Sequence, residues 1–152
     1  MKAVLDTNVV MSAIFFGGSP LKIVRAAFAK KIELVATRAV ISEYREVADR
    51  LGSQFSTVNY RRPLAILESK LKLVRPGSVS EPICRDPDDD AIIACALGGK
   101  AKIICSGDDD LLSITAFSKA GIPVRSRKTM IIPALCSGMK RWRTLCFGKR
   151  DR

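Results

Sequence analysis

Apolar residues along this chain follow two rhythms. Short, nearly continuous apolar runs at Ala3–Leu5, Glu33–Ala36, Leu71–Val74, Lys102–Cys105 and Ile122–Arg125 are bounded by turn residues and predict buried strands. Longer stretches with helical spacing lie between them. One runs from Val9 to Phe16 and stops at Gly17-Gly18; the next, over about 20–30, opens with Ser19-Pro20. Thr37 caps a helix to about Leu51, on which Val40, Tyr44, Val47 and Leu51 form an apolar stripe. A loop at 52–57 precedes a helix over about 60–70, and a Pro-, Gly- and Ser-rich loop fills 75–87. Asp88 to Leu97 reads as a helix closed by Gly98-Gly99, and Asp108 to about Lys119 as another. Strands this short, alternating with helices this long, need crossover connections. They predict an α/β domain of three layers, α/β/α, around a mostly parallel, roughly five-stranded sheet.

Composition narrows the function. The 152 residues suit one domain, and with 47% apolar and 27% charged residues the chain reads as an ordinary globular protein. No apolar run approaches the ~20 residues that span a bilayer, and Asp6 interrupts any signal-peptide core, so the expectation is a cytoplasmic protein with no membrane partner. Histidine is absent, which excludes Ser-His-Asp and Cys-His nucleophiles and histidine-ligated zinc. The five cysteines (84, 95, 105, 136, 146) form no C-x-x-C pair, and Cys95 and Cys105 read as small buried hydrophobes. No glycine-rich phosphate loop of either common type is present.

The net charge of +11 is unevenly spread. Residues 125–152 hold nine bases and one acid, while seven acids crowd into 86–110. A basic protein with an acidic focus suits polyanion binding around a metal site; a solubilising tail with solvated turn acids is the plainer reading of charge alone. Topology sharpens it. Ligands of open α/β sheets bind at the carboxyl ends of the strands. Asp6 follows the first strand, Asp108 stands just past the fourth, and Asp90 lies in the opening turn, Glu43 in the second turn, of helices that begin at that edge. Glu43 borders the apolar stripe, and Asp90 shares a face with Ile93, Ala94 and Leu97. Grouped carboxylates need protons or a cation, and an oxygen-only set without histidine suits Mg²⁺ or Mn²⁺, whose typical work in such pockets is phosphoryl chemistry.

The motifs resemble those of the PIN-domain family. Leu5-Asp6-Thr7-Asn8-Val9 resembles its opening motif, Ile41-Ser42-Glu43 with Val47 its central glutamate helix, and Asp86-Pro87-Asp88-Asp89-Asp90 through Gly98-Gly99 its third block. Ser106-Gly107-Asp108-Asp109-Asp110-Leu111-Leu112 is similar to its T-G-D-x-D-L-L block, with serine replacing threonine. The match covers about 1–125 and is nearest to the PIN toxins of bacterial and archaeal toxin–antitoxin modules. It implies an Mg²⁺- or Mn²⁺-dependent ribonuclease, dimeric and restrained by a cognate antitoxin. Asp6, Glu43, Asp90 and Asp108 would be its catalytic acids. Asp6, Asp90 and Asp108 would hold the metal, Glu43 joining directly or through water, and a metal-activated water would cut RNA to leave a 3′-hydroxyl and a 5′-phosphate. Thr7, Asn8, Asp86, Ser106 and Asp110 are supporting residues by the same likeness, with helix-cap and turn roles as the alternative for Thr7, Asn8 and Ser106. Arg38, Arg61 and Arg62, with Lys22 and Arg25, are candidate RNA-holding bases.

Residues 126–152 depart from the family pattern and read as a basic extension, partly disordered or packed on a partner, although Met139-Lys140-Arg141-Trp142-Arg143 mixes stacking and phosphate-binding side chains. Two other classes compete. A non-catalytic nucleic-acid-binding or interaction module would keep the fold without the chemistry. An aspartyl-phosphate phosphatase would use Asp6-Thr7-Asn8 as a D-x-D site, but Asn8 removes its general acid.

Overall fold

The computed structural model describes residues 1–78, 87–107 and 124–126. In chain order these form β1 (Lys2–Leu5), α1 (Thr7–Met11) continued by a π-helical segment (Ser12–Phe16), α2 (Gly18–Phe28), β2 (Glu33–Ala36), α3 (Arg38–Gln54), α4 (Arg61–Glu68), β3 (Lys72–Leu73), α5 (Pro87–Gly99), β4 (Ile103–Ser106) and β5 (Val124–Ser126). All five strands pair in parallel, in the order β3-β2-β1-β4-β5, with Ala3 opposite Leu34 on one side and Ile103 on the other. The expected α/β sheet with flanking helices is therefore present, and β2 carries the predicted bounds.

β1 lies at the centre because it is buried along nearly its whole length: Ala3 and Val4 are fully enclosed and Leu5 almost so. The chain leaves β1 to build outward through β2 and β3, then returns to build the other side from β4. The reversal falls between β1 and β4, the switch point at whose carboxyl edge ligands of open α/β sheets bind in a crevice. α5 covers β1, β2 and β4 and also meets α3, so both its sides are occupied, and Ile92, Ile93, Cys95 and Ala96 are all buried. That two-sided burial explains a helix that is apolar all round rather than striped.

Several predicted boundaries move, each for a physical reason. α2 starts at Gly18 rather than at Pro20. Gly17 (φ +73°) is the residue before it and Gly18 itself has φ +67°, so these two absorb a 101° bend that other residues resist, and Ser19 falls inside the helix. α3 runs past Leu51 to Gln54, with Gly52 inside it, because the Tyr60 ring lies where a β-carbon at position 52 would project. α5 likewise includes Gly98 and Gly99. A β-carbon on Gly98 would stand 1.9 Å from the Arg75 carbonyl oxygen, so this glycine admits the crossing backbone of 75–77, whose Gly77 amide donates to the Ala94 carbonyl at 2.7 Å. The left-handed residue that ends α5 is Lys100 (φ +51°). β3 keeps two of its four expected residues, and the described part of β5 runs one residue beyond the expected end, to Ser126. The loop at 79–86, the helix expected over 108–119 and the extension beyond Ser126 lie outside the described residues.

Cys95 behaves as the small hydrophobe expected. It is fully buried, its Sγ donates to the Val35 carbonyl at 3.7 Å, and burial pushes its thiol from an ordinary value near 9 up to about 11. The folded protein thus holds this proton more tightly than the unfolded chain. The stability it contributes is complete below about pH 8.5 and is lost as pH rises toward 11. A thiol reagent at pH 8 should leave Cys95 unmodified until denaturant is added; rapid labelling of the native protein at that residue would contradict its placement. Gly98→Ala should lower unfolding stability by about 1–3 kcal/mol through the clash with residue 75, read as a fall in the urea midpoint at constant slope.

Candidate functional site

Asp6 sits where β1 ends and α1 begins, at the carboxyl edge of the central strand, and is only 6% exposed. Its backbone continues the sheet for one more hydrogen bond, the Asp6 amide donating to the Cys105 carbonyl at 2.9 Å. Its own carbonyl then accepts from the Val9 and Val10 amides and starts the helix. A carboxylate this enclosed requires donors. The Ser106 hydroxyl, at the end of β4 and wholly buried, donates to Asp6 Oδ2 at 2.6 Å. Strand pairing of β1 with β4 dictates this contact, since residue 6 follows the Leu5–Cys105 pair and residue 106 stands beside it.

A second carboxylate joins from α3. Thr37, buried at the end of β2, caps that helix by accepting from the Val40 amide at 3.3 Å. The cap sets the helical phase, and residue 43 arrives half-buried on the side facing α1. There the Thr7 hydroxyl donates to Glu43 Oε1 at 2.6 Å. Thr7 and Ser106 therefore act as hydrogen-bond donors to the two acids, which places them in the site rather than in helix-cap or turn duty alone. Asn8 is exposed.

Tyr44 is a component that sequence reasoning placed only in the apolar stripe. It is 1% exposed and its hydroxyl donates to the Leu5 carbonyl at 2.5 Å, tying α3 to the last residue of β1 immediately before Asp6. Burial first, then the Cys95 thiol and the Asp6 and Glu43 carboxylates, hold this phenol well above its usual range, so it remains a protonated donor. The available signal was the hydroxyl itself: a buried tyrosine finds a polar partner, and this one neighbours Glu43 in sequence.

Asp90 lies in the first turn of α5, half-buried. The far end of α5 is anchored at the opposite edge of the sheet, where Lys2 Nζ at the start of β1 donates to the Gly99 carbonyl at 3.1 Å, so the first turn points toward the edge that carries Asp6. Among the described residues, no group of three or more acidic, cysteine or histidine side chains is assembled closely enough to hold a metal ion. The structure thus joins Asp6 and Glu43 through their hydroxyl donors and brings Asp90 toward the same edge without completing a three-ligand set. Asp86, Asp108 and Asp110 lie outside the described residues. Arg38, exposed in the first turn of α3, shares this edge. Arg61 and Arg62 do not: they open α4 beside the far end of α3, where Tyr60 packs on Gly52, about 14 Å along the helix from Glu43.

No buried side-chain nitrogen or oxygen among the described residues lacks a partner. The arrangement is chemically specific: two carboxylates, each with one oxygen fixed by a hydroxyl, at the crevice between neighbouring parallel strands.

Comparison with known proteins follows this geometry. A family model described as PIN domain matches residues 2–110. Among solved structures, a chain of the crystal structure of VapBC2 from Rickettsia felis bound to a DNA fragment from their promoter aligns with a TM-score of 0.47 at 14% identity, covering 83% of this chain and 98% of that chain. Comparison with curated proteins finds no match.

Replacing Tyr44 by Phe keeps the ring and removes one donor from a buried carbonyl. The expected loss is about 1–3 kcal/mol of unfolding free energy. A denaturation curve superimposable on wild type would show that the Leu5 carbonyl has no need of this bond.

Proposed function

The chain belongs to the PIN domain family, and from that premise we propose that it is a divalent-metal-dependent endoribonuclease, the toxin of a toxin–antitoxin pair. The observation that carries this reading is the buried Asp6 carboxylate at the crevice between β1 and β4, held by Ser106 and neighboured through Thr7 by Glu43. Few structural roles need a carboxylate at such a point.

The donor chemistry fits a hard cation. Every candidate ligand is a carboxylate or hydroxyl oxygen, which suits Mg²⁺ or Mn²⁺ over softer metals. Asp6, Asp90 and Asp108 would hold the ion, with Glu43 directly or through a water. When bound, such an ion supplies a water of lowered pKa and a counter-charge for the phosphate under attack. The chain's own residues do the rest. Ser106 and Thr7 each fix one carboxylate oxygen and with it the plane of the group, which limits reorganisation when substrate arrives. Tyr44 holds the end of β1 against α3 and so sets the spacing of the two acids. Asn8 and Arg38, exposed at the same edge, would meet the RNA backbone, and Asp86 and Asp110 are assigned supporting roles by family pattern. The likeness of the motifs to PIN toxins supports a cognate antitoxin, a homodimer and a cytoplasmic setting. Among the described residues no single helix is long and apolar enough to cross a membrane.

Cleavage of a defined panel of single-stranded RNAs tests the proposal. Wild type should cut in Mn²⁺ or Mg²⁺ and stop on chelation, while Asp6→Asn and Asp90→Asn should each lose activity by about a hundredfold or more. Undiminished cutting by both variants would remove this site from the reaction. Absence of cutting together with absence of heat in a Mn²⁺ titration would leave the non-catalytic binding module in its place.

A further inference from the structure

At the end of α3 farthest from Glu43, four aromatic rings meet at the surface. Phe15 and Phe16 close the π-helical segment, Phe55 follows α3, and Tyr60 precedes α4. Phe15 stacks on Tyr60 at 5.7 Å between centroids, with planes 21° apart, and lies 6.1 Å from Phe55; Phe16 meets Phe55 edge-on at 5.6 Å. Phe16 is nevertheless 69% exposed and Phe55 39%. Enclosing a phenylalanine would contribute about 1.5–3 kcal/mol, so leaving rings open in a group, rather than singly, marks a surface that something covers.

The surroundings of the rings select the occupant. Tyr60 donates to Asp49 Oδ1 at 2.6 Å, the Arg61 guanidinium lies 5.9 Å from the Tyr60 ring centre, and Arg62 is exposed beside it. Adjoining them is an open cavity of about 350 Å³ lined mostly by small polar residues, Ser53, Ser56 and Asn59, with Val58, Tyr60 and Arg61; none of the predicted acids lines it. Open aromatic faces, guanidinium groups and small polar side chains are what unpaired bases and their phosphates require. Arg61 and Arg62 bring positive charge to this face, which the phosphates of RNA complement.

We propose that this aromatic ledge and its cavity form an exosite that stacks unpaired bases of single-stranded RNA, several nucleotides away from the bond that is cut. The proposal rests on the reading of the chain as a ribonuclease, and it specifies the substrate as single-stranded. The separation follows from the helix: twelve residues between Glu43 and Phe55 correspond to about 18 Å.

Binding without chemistry is the decisive measurement. In chelator, anisotropy of a labelled single-stranded RNA should give dissociation constants raised about tenfold for Phe16→Ala and for Phe55→Ala, with Phe16→Trp close to wild type. Duplex RNA of the same sequence should bind all four proteins alike, because its base faces are already stacked. Thermal melting of each variant identifies any loss caused by unfolding, and the largely exposed Phe16 keeps the test available if Phe55→Ala melts early. Equal affinity of wild type and Phe16→Ala for single-stranded RNA would overturn the exosite. So would a wild-type self-association, seen in sedimentation, that Phe16→Ala abolishes while RNA affinity stays unchanged. The nuclease reading fails separately, by metal-dependent cleavage that ignores Asp6→Asn, so each failure is recognisable without the other.

Discussion

A buried carboxylate at the end of the central strand is the constraint around which this fold is arranged. Asp6 is enclosed almost completely, and an ionised side chain so placed is unfavourable by several kcal/mol unless its oxygens find donors. One donor is Ser106, one hundred residues away in sequence, and it reaches Asp6 only if β4 pairs with β1 in the observed register. The acid and the sheet therefore specify each other. A slip by one residue would turn Ser106 to the other face and leave the carboxylate buried against an apolar strand. Tyr44 adds a second fastening from α3 to the same strand end, and the Arg45–Glu68 pair, with contacts of 2.7 and 2.8 Å, fixes α3 to α4 beyond it. The surface ion pair contributes little by itself; the enclosed hydroxyl bonds carry the geometry.

Much of this was legible in the sequence because burial repeats with the period of the element. β2 has the bounds its apolar run predicts, and Thr37 caps α3 as its residue type requires. The phase of the Val40–Leu51 stripe placed Glu43 at the border of the buried face, where it is found half-buried. Legibility ended at glycine. Gly52, Gly98 and Gly99 read as stops, yet all three lie inside helices, because a glycine in sequence records a missing side chain and not its cause. Here the cause is a neighbour, the Tyr60 ring or the backbone near Arg75, that no local window contains. Gly17 and Gly18 do redirect the chain, and their positive φ values show the difference.

The candidate site residues divide in the same way. Thr7, Ser106 and Asp6 could be found because each stands at a strand end, where topology alone determines the company it keeps. Tyr44 was hidden within a stripe of apolar residues, its hydroxyl outvoted by its ring. Arg61 and Arg62 were placed with the acids because sequence conveys charge but not which end of a helix carries it; the packing of Tyr60 on Gly52 sets them at the far end of α3. The aromatic group could not be read at all, since Phe15 and Tyr60 are separated by more than forty residues and meet only once the chain after α3 packs against the end of the π-helical segment.

On the proposed nuclease reading, that division bears on how a domain of this size would handle RNA. At the carboxyl edge of the sheet the parallel strands end and helices begin, and among the described residues this edge carries Asp6, Glu43 and Asp90. Phosphates approach such an edge against a repulsive field unless a cation offsets it. Attraction therefore has to be supplied elsewhere on the molecule, and α3 is long enough to separate the two duties while keeping them in fixed register. A helix with a carboxylate near one end and aromatic rings with guanidinium groups near the other would set the distance between the proposed exosite and the proposed cleavage site. Lengthening or shortening α3 by one residue would rotate one group by about 100° relative to the other. The capped start at Thr37 and the ring-packed Gly52 fix both ends of that helix.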